Sequence, residues 1–241
     1  MRRFVSAGLT LGTIAVVVGI VAAPPAAAQQ SFNVYVGGVT PRAEDARGRD
    51  DVLLNDLDFL AFNLSDFKTA TIGGEYLVGL GNYFDAGLGI GFYTRSVPSV
   101  YLNVINSNGA EIEQTLKLRV IPFSATVRFL PLGHHSSFEP YIGGGVGVLR
   151  WRYSEAGEWV DPSDNSIFRA TFAGSGAASG PLILGGIRVP IDTWGLGFEI
   201  RHQSAEGDLP VDQGFATSSV NAVPKIDLGG FSYLFSVNFR F

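Results

Sequence analysis

Residues 201–208 read RHQSAEGD. His202 and Ser204 are two positions apart, so on an extended strand their side chains leave the same face. A histidine beside a serine is the pairing that nucleophilic catalysis uses. His202 as base takes the hydroxyl proton, the Ser204 oxygen attacks, and a carboxylate orients the ring. The third member is absent at close range. No glutamate follows Glu206, and the remaining acids downstream are Asp208, Asp212 and Asp227. A pair without its orienting acid is a weak constellation. The preferred reading is a histidine at a strand end followed by the first serine of a loop.

The other residues with chemical potential fall within alternating segments. Glu75, Lys117, Arg119, Arg128, Arg150, Arg188, Glu199 and Arg201, with Arg95, Arg152 and Arg240, read as the polar side of those segments. Such an excess of cations allows an anion-lined pore or a salt-bridge network filling a narrow interior. The network is preferred, because a barrel of eight strands is only wide enough for its own side chains. GLGIG (87–91) and GGGVG (143–147) have the glycine density of phosphate-cradling loops. They sit inside strands with no helix following, so they read as glycines that permit curvature and close packing. His134 and His135 fall in a short turn, where adjacent side chains do not converge on one metal. With no cysteine there is no disulfide, thiolate or cysteine-based zinc site, and no calcium-loop spacing occurs. No cofactor and no metal is expected.

Positioning these residues requires strands. Eight segments have strand character: 32–39, 71–81, 86–95, 115–129, 141–153, 181–191, 194–203 and 231–241. Connections after the second, fourth and sixth are short. Those after the first, third, fifth and seventh are about twenty residues or more and polar, a rhythm that suits an up-and-down meander with unlike ends. Trp194, Leu196, Phe198, Ile200 and His202 share one face of the seventh segment, opposite Gly195, Gly197, Glu199 and Arg201. In the fifth, Tyr141, Leu149, Trp151 and Tyr153 read as the apolar face. In the fourth the apolar face moves from Leu116, Leu118 and Val120 to Phe123, Ala125, Val127 and Phe129, which predicts a bulge at Ile121-Pro122. The last segment alternates Phe231, Tyr233, Phe235, Val237, Phe239 and Phe241 with mostly polar residues. In the connection 43–68, Leu53, Leu57, Leu60 and Leu64 are spaced for a short amphipathic helix that caps the mouth or lies on a lipid surface.

Three observations favour an apolar face turned outward to lipid: aromatics at both strand ends, a polar face rich in glycine, and a route of export. The route is written in residues 1–28. Arg2 and Arg3 precede an apolar run from Leu9 to Ala23, then Pro24, Pro25 and Ala26 to Ala28, the layout of a signal peptide cleaved before Gln29. The expected fold is all-β: an eight-stranded antiparallel up-and-down transmembrane barrel over 29–241. That stretch carries 15 basic and 22 acidic residues, a net of −7, which argues against a nucleic-acid partner.

FEPYIGGGVGV (138–148), VIPFSATVRF (120–129) and the terminal aromatic strand resemble the outer-membrane β-barrel domain proteins, small barrels akin to the transmembrane part of outer membrane protein A. The resemblance covers 29–241. It implies an outer-membrane location with periplasmic termini and outer-membrane lipids and lipopolysaccharide as surroundings. It also implies an assembly signal in Tyr233, Phe239 and Phe241, read by the barrel assembly machinery; a cell-wall tether is not implied. The His-x-Ser on the lipid side of the seventh strand resembles the lipid A 3-O-deacylase family, which implies acyl-ester hydrolysis. That family has Asn after the serine where this chain has Ala205, and a downstream Glu that is missing here. The expectation is therefore a non-enzymatic structural or surface-interaction protein with acidic outer loops. The hydrolase is the first alternative and a narrow small-solute pore the second.

Overall fold

The computed structural model describes residues 29–161, 163–219 and 221–241. The expected signal peptide, 1–28, lies outside the described residues.

Eight antiparallel strands form the wall: β1 (Gln30–Pro41), β2 (Thr69–Leu80), β3 (Phe84–Ile105), β4 (Glu111–Phe129), β5 (Glu139–Val160), β6 (Ile167–Ile191), β7 (Trp194–Gln203) and β8 (Gly230–Arg240). Each pairs with its sequence neighbours, and β1 pairs with β8 from Ser31↔Arg240 to Pro41↔Gly230, so the ring closes without a free edge. The turns 81–83, 130–138 and 192–193 are short and gather at one end.

The strands run further than their apolar patterns suggest. β3 continues through SVPSVYLNVI to Ile105, and β6 begins at Ile167 rather than at 181. The connections after β3 and β5 shrink to 106–110 and 161–166. Only 42–68 and 204–229 remain long. The expectation of four long loops is corrected to two long loops and two tall hairpins. Pro98, the serines and the run GSGAASG (174–180) read as loop because no lipid-facing apolar row marks them; ladder pairing holds them extended all the same.

The bulge expected at Ile121-Pro122 is also absent. Register from Gln114↔Gly157 to Phe129↔Ile142 is continuous, and Ile90↔Phe123 and Tyr93↔Val120 keep the same frame on the other side. Pro122 costs the ladder its N–H bond without adding a residue. Side chains alternate without a slip along β4: even positions point inward and odd positions outward. What changes is the solvent. From Ile121 to Phe129 the outward row is apolar, a span matching the 9–11 residues that a tilted strand needs to cross a bilayer core. Above it, Lys117 and Arg119 point outward and exposed, while Leu116, Leu118 and Val120 are buried inside.

The same reversal runs along β5. Ile142, Val146 and Val148 are exposed on the outside; higher up, Arg150 and Arg152 are outside and Leu149, Trp151 and Tyr153 are buried in the interior. Tyr141, also placed on the outer face by its pattern, points inward. Trp151 and Tyr153 are therefore lumen residues and not part of an outer aromatic rim. The barrel is inside-out where it carries its apolar belt and right-side-out above it.

The upper lumen is filled by the two long connections. A single-turn helix, α1 (Val52–Asp56), is capped by Asp51, whose carboxylate accepts from Leu54 N at 3.1 Å. The predicted amphipathic helix is thus cut to five residues, followed by a two-residue strand, Leu60–Ala61, and a 3-10 turn, Leu64–Phe67. Val52, Leu53, Leu60, Leu64 and Phe67 enter one core with Leu116, Leu118, Trp151 and Tyr153 from the wall and Leu209, Phe215 and Ile226 from 204–229. The leucine spacing finds its partner inside the mouth.

Candidate functional site

Two charged layers occupy the belt and the short-turn end. Around the middle of the belt, Arg128 Nη2 binds Glu199 at 2.8 Å and also Glu75, and Arg201 Nη2 binds Glu75 at 3.0 Å and also Glu199 through Nε. Tyr141 donates to Glu199 at 2.9 Å and lies 5.1 Å from the Arg128 guanidinium, ring centroid to carbon. All are nearly inaccessible, so this is two arginines against two glutamates in a low dielectric, paired as buried charges must be. Gly87 supplies the room: a Cβ there would stand 2.7 Å from Leu77 and Thr126 and 2.9 Å from Glu75 Oε1.

Towards the short turns, Arg188 bridges Asp85 (3.1 Å) and Glu139 (3.3 Å), and Arg240 binds Glu139 at 2.7 Å. His134 Nε2 meets Asp85 at 2.6 Å, and its Nδ1 meets Asn82 O at 2.8 Å. That hydrogen bond to Asp85 raises the His134 pKa above the ordinary histidine value. His134 is thus buried against the barrel floor.

Six sequence-predicted interior residues, Glu75, Arg128, Arg188, Glu199, Arg201 and Arg240, lie in these layers. Lys117, Arg119 and Arg150 do not. They point outward above the belt, as does Arg152, and the structure corrects that expectation. Removing them narrows the charge imbalance without closing it. Asp85 and Glu139 supply the acids that pattern reading missed; each shares the inward parity of the glycines and Tyr141 that follow it on its strand. Tyr233, Phe239 and Phe241 are outward and exposed, and Phe241 closes the ring by donating N–H to Gln30 O at 3.1 Å.

Above the belt the plug is pinned by its own ion pairs. Arg47 binds Asp51 at 2.8 Å, Arg42 binds Asp227 at 3.0 Å, and Asp227 N donates to Asp51 at 2.6 Å. Asp56 and Glu155, both buried, face each other beside Tyr153. Burial and the neighbouring Glu155 carboxyl push Asp56 well above the usual carboxylate range, and burial pushes Glu155 up to about 7. Between plug and charged layer remains a cavity of about 50 Å³, lined by Tyr35, Tyr93, Leu149 and Arg201 among others.

The hydrolase constellation is not assembled. His202 points outward and stacks on Phe231 with centroids 4.8 Å apart. Ser204 Oγ accepts from Arg42 at 2.6 Å, and among the described residues no hydrogen bond joins His202 to Ser204 or to a carboxylate. The serine helps hold Arg42 against Asp227.

No family model and no curated protein matches the sequence. Among solved structures the chain is similar to the outer membrane protein OprG from Pseudomonas aeruginosa, at 11% identity and a TM-score of 0.52, covering 89% of this chain and 96% of that one. It is similar at 10% identity to the N-terminal β-barrel domain of Pseudomonas aeruginosa OprF, with a TM-score of 0.38 and 88% and 97% covered. Neisserial surface protein A gives 10% identity, a TM-score of 0.42, and 88% and 97% covered. The OprG likeness speaks for the fold and agrees with the closed ring and the outward apolar belt. The chain is an eight-stranded antiparallel transmembrane β-barrel with the fold of the small outer-membrane barrels.

Proposed function

We propose that this protein is an integral outer-membrane barrel of structural and surface-interaction type, exported by a signal peptide at 1–28. Both termini lie in the periplasm with the short turns, and the tall hairpins and the two long connections face outward. The asymmetry of the ends supports this orientation, because outer-membrane barrels put short turns inside and long connections outside. The barrel assembly machinery reads Tyr233, Phe239 and Phe241, and lipopolysaccharide surrounds the outer half of the belt.

One observation carries the choice of anchor over pore. The lumen is sealed twice, by the Glu75–Arg128–Glu199–Arg201 layer and by the apolar plug on α1. An eight-stranded interior has no width to spare around such layers. The part of the plug connection offered outward is acidic: Glu44, Asp45 and Asp58 are exposed, with Asp50 and Asp66 partly so, against Arg49 and Lys68.

The test pairs two measurements on protein extracted from membranes. Its gel mobility should change on boiling, as a folded barrel unfolds, and planar bilayers containing it should show no steady conductance. Recovery as a soluble periplasmic protein with no heat shift overturns the membrane reading; a stable ohmic current overturns the closed anchor.

A further inference from the structure

Lys117 and Arg119 on β4 and Arg150 and Arg152 on β5 point outward in the first rows above the apolar belt. Arg119 stands directly opposite Arg152, and Arg150 is opposite Ile121, the top of the belt. Like charges directly across an antiparallel pair oppose strand pairing unless something answers them. Nothing in the protein does: among the described residues none of the four has a carboxylate within 4.0 Å, whereas the lumen arginines are all paired. The flanking rows are small and neutral, Thr94 and Ser96 opposite Arg119 and Lys117, and Ser175 and Ala177 opposite Arg152 and Arg150. Those small residues leave an open groove of about 500 Å³, walled by Arg119, Arg150 and Arg152 and floored by Ser175, Gly176 and Ala177.

The height of the cluster selects the partner. Side chains one row above the hydrocarbon edge lie at the level of lipid headgroups, where cations attract anionic lipid. A zwitterionic headgroup would bring an ammonium that finds no acid in the groove; the nearest outward acid on β4, Glu113, is two outward positions beyond Lys117. We propose that Lys117, Arg119, Arg150 and Arg152 form a docking site for the phosphorylated sugar headgroup of an outer-leaflet glycolipid, with the groove over Ser175–Gly176–Ala177 receiving the sugar. This rests on the outer-membrane orientation given above.

The experiment uses the full-length mature barrel in detergent micelles doped with bisphosphorylated lipid A, with bound lipid counted by native mass spectrometry. The variant K117S/R119S/R150S/R152S changes only exposed, unpaired side chains, and its heat shift on gels reports that it has folded. Wild type should hold the lipid roughly tenfold more tightly than this variant, and roughly tenfold more tightly than it holds dephosphorylated lipid A. R119K/R150K/R152K should retain most of the binding. Equal binding by the serine variant overturns the site. Equal binding of phosphatidylglycerol, or displacement by inorganic phosphate at matched concentration, overturns the glycolipid as its occupant. Absence of a heat shift in wild type would instead sink the membrane reading, so the two failures are distinguishable.

Discussion

Tyr153 on β5 donates its hydroxyl to Asp56 at the end of α1, at 3.3 Å and across 97 residues of chain. The bond ties the plug to the wall at a point where a second acid, Glu155, is also buried. The pair makes the plug pH-sensitive. Both carboxyls hold their protons more tightly in the folded state, Glu155 with a pKa of about 7. Folding the plug therefore takes up protons. The stabilisation is complete below the ordinary carboxylate range, near pH ~4, and is lost as pH rises through about 7. Asp51, the other carboxyl facing the pair, acts in the same sense, since it adds negative charge when ionised, while Tyr101 and Tyr153 stay neutral across that window. Amide exchange over 52–67, corrected for intrinsic rate, should accelerate across that window, and Glu155→Gln should flatten the response. Greater protection at alkaline pH would contradict the assignment.

Leu53→Ala should loosen the plug without opening the barrel. Leu53 is 1% exposed in the upper core, and truncating such a leucine costs about 2–5 kcal/mol. Proteolysis within 42–68 should speed up while bilayer conductance stays at baseline, because the charged layer below is untouched. A current through L53A would show that the plug alone seals the lumen.

Arg128 holds two buried glutamates at once. Arg128→Ala leaves both short of a cation, and breaking a buried pair from one side costs about 3–5 kcal/mol. The midpoint of denaturant unfolding in micelles should fall accordingly. R128M/E75Q should fall by less than the two single changes summed, since it removes charge from both sides. Strict additivity would mean the layer is not one network.

Gly87 and Gly185 make a paired control for interior crowding. A Cβ at 87 meets Glu75, Leu77 and Thr126 within 2.9 Å, whereas one at 185 finds nothing nearer than 3.8 Å. Gly87→Ala should reduce the folded fraction on refolding and Gly185→Ala should not. Equal refolding yields would show that the layer adjusts freely.

Deleting the aromatic ring in Phe241→Ala should lower the amount of barrel assembled in cells while leaving the detergent-refolded protein as stable as wild type, because the ring is exposed. Assembly at the wild-type level would remove Phe241 from the assembly signal.

All eight strands, their antiparallel order and the inward Glu75, Arg128, Arg188, Glu199 and Arg201 are legible in the sequence wherever one face meets lipid. The rest fails for a single physical reason. An apolar side chain marks the outside within the belt and the inside above it, so Leu118 and Phe123 lie on opposite faces although both follow the same rule of solvent. Read as one periodicity, β4 slips at Pro122 and β5 presents Trp151 outward; read with a change of solvent at Ile121, neither does. The same change hides the tall hairpins, whose water-facing rows look like loop. Asp85 and Glu139 escape because each stands just before the segments 86–95 and 141–153, where no apolar row yet marks the strand.

The reversal along β4 and β5 also fixes how deep the molecule floats. Arg150 and Val148 are successive outward residues, so the waterline on β5 is drawn between them. Sinking the barrel by one outward residue moves Arg150 into hydrocarbon, a cost of roughly 0–1 kcal/mol at the surface that climbs to 2–4 kcal/mol at the midplane. Raising it by the same step strands Val148 in water. A thinner or thicker bilayer would have to deform to meet this line, because the line is drawn by covalent sequence and the lipid is the softer partner.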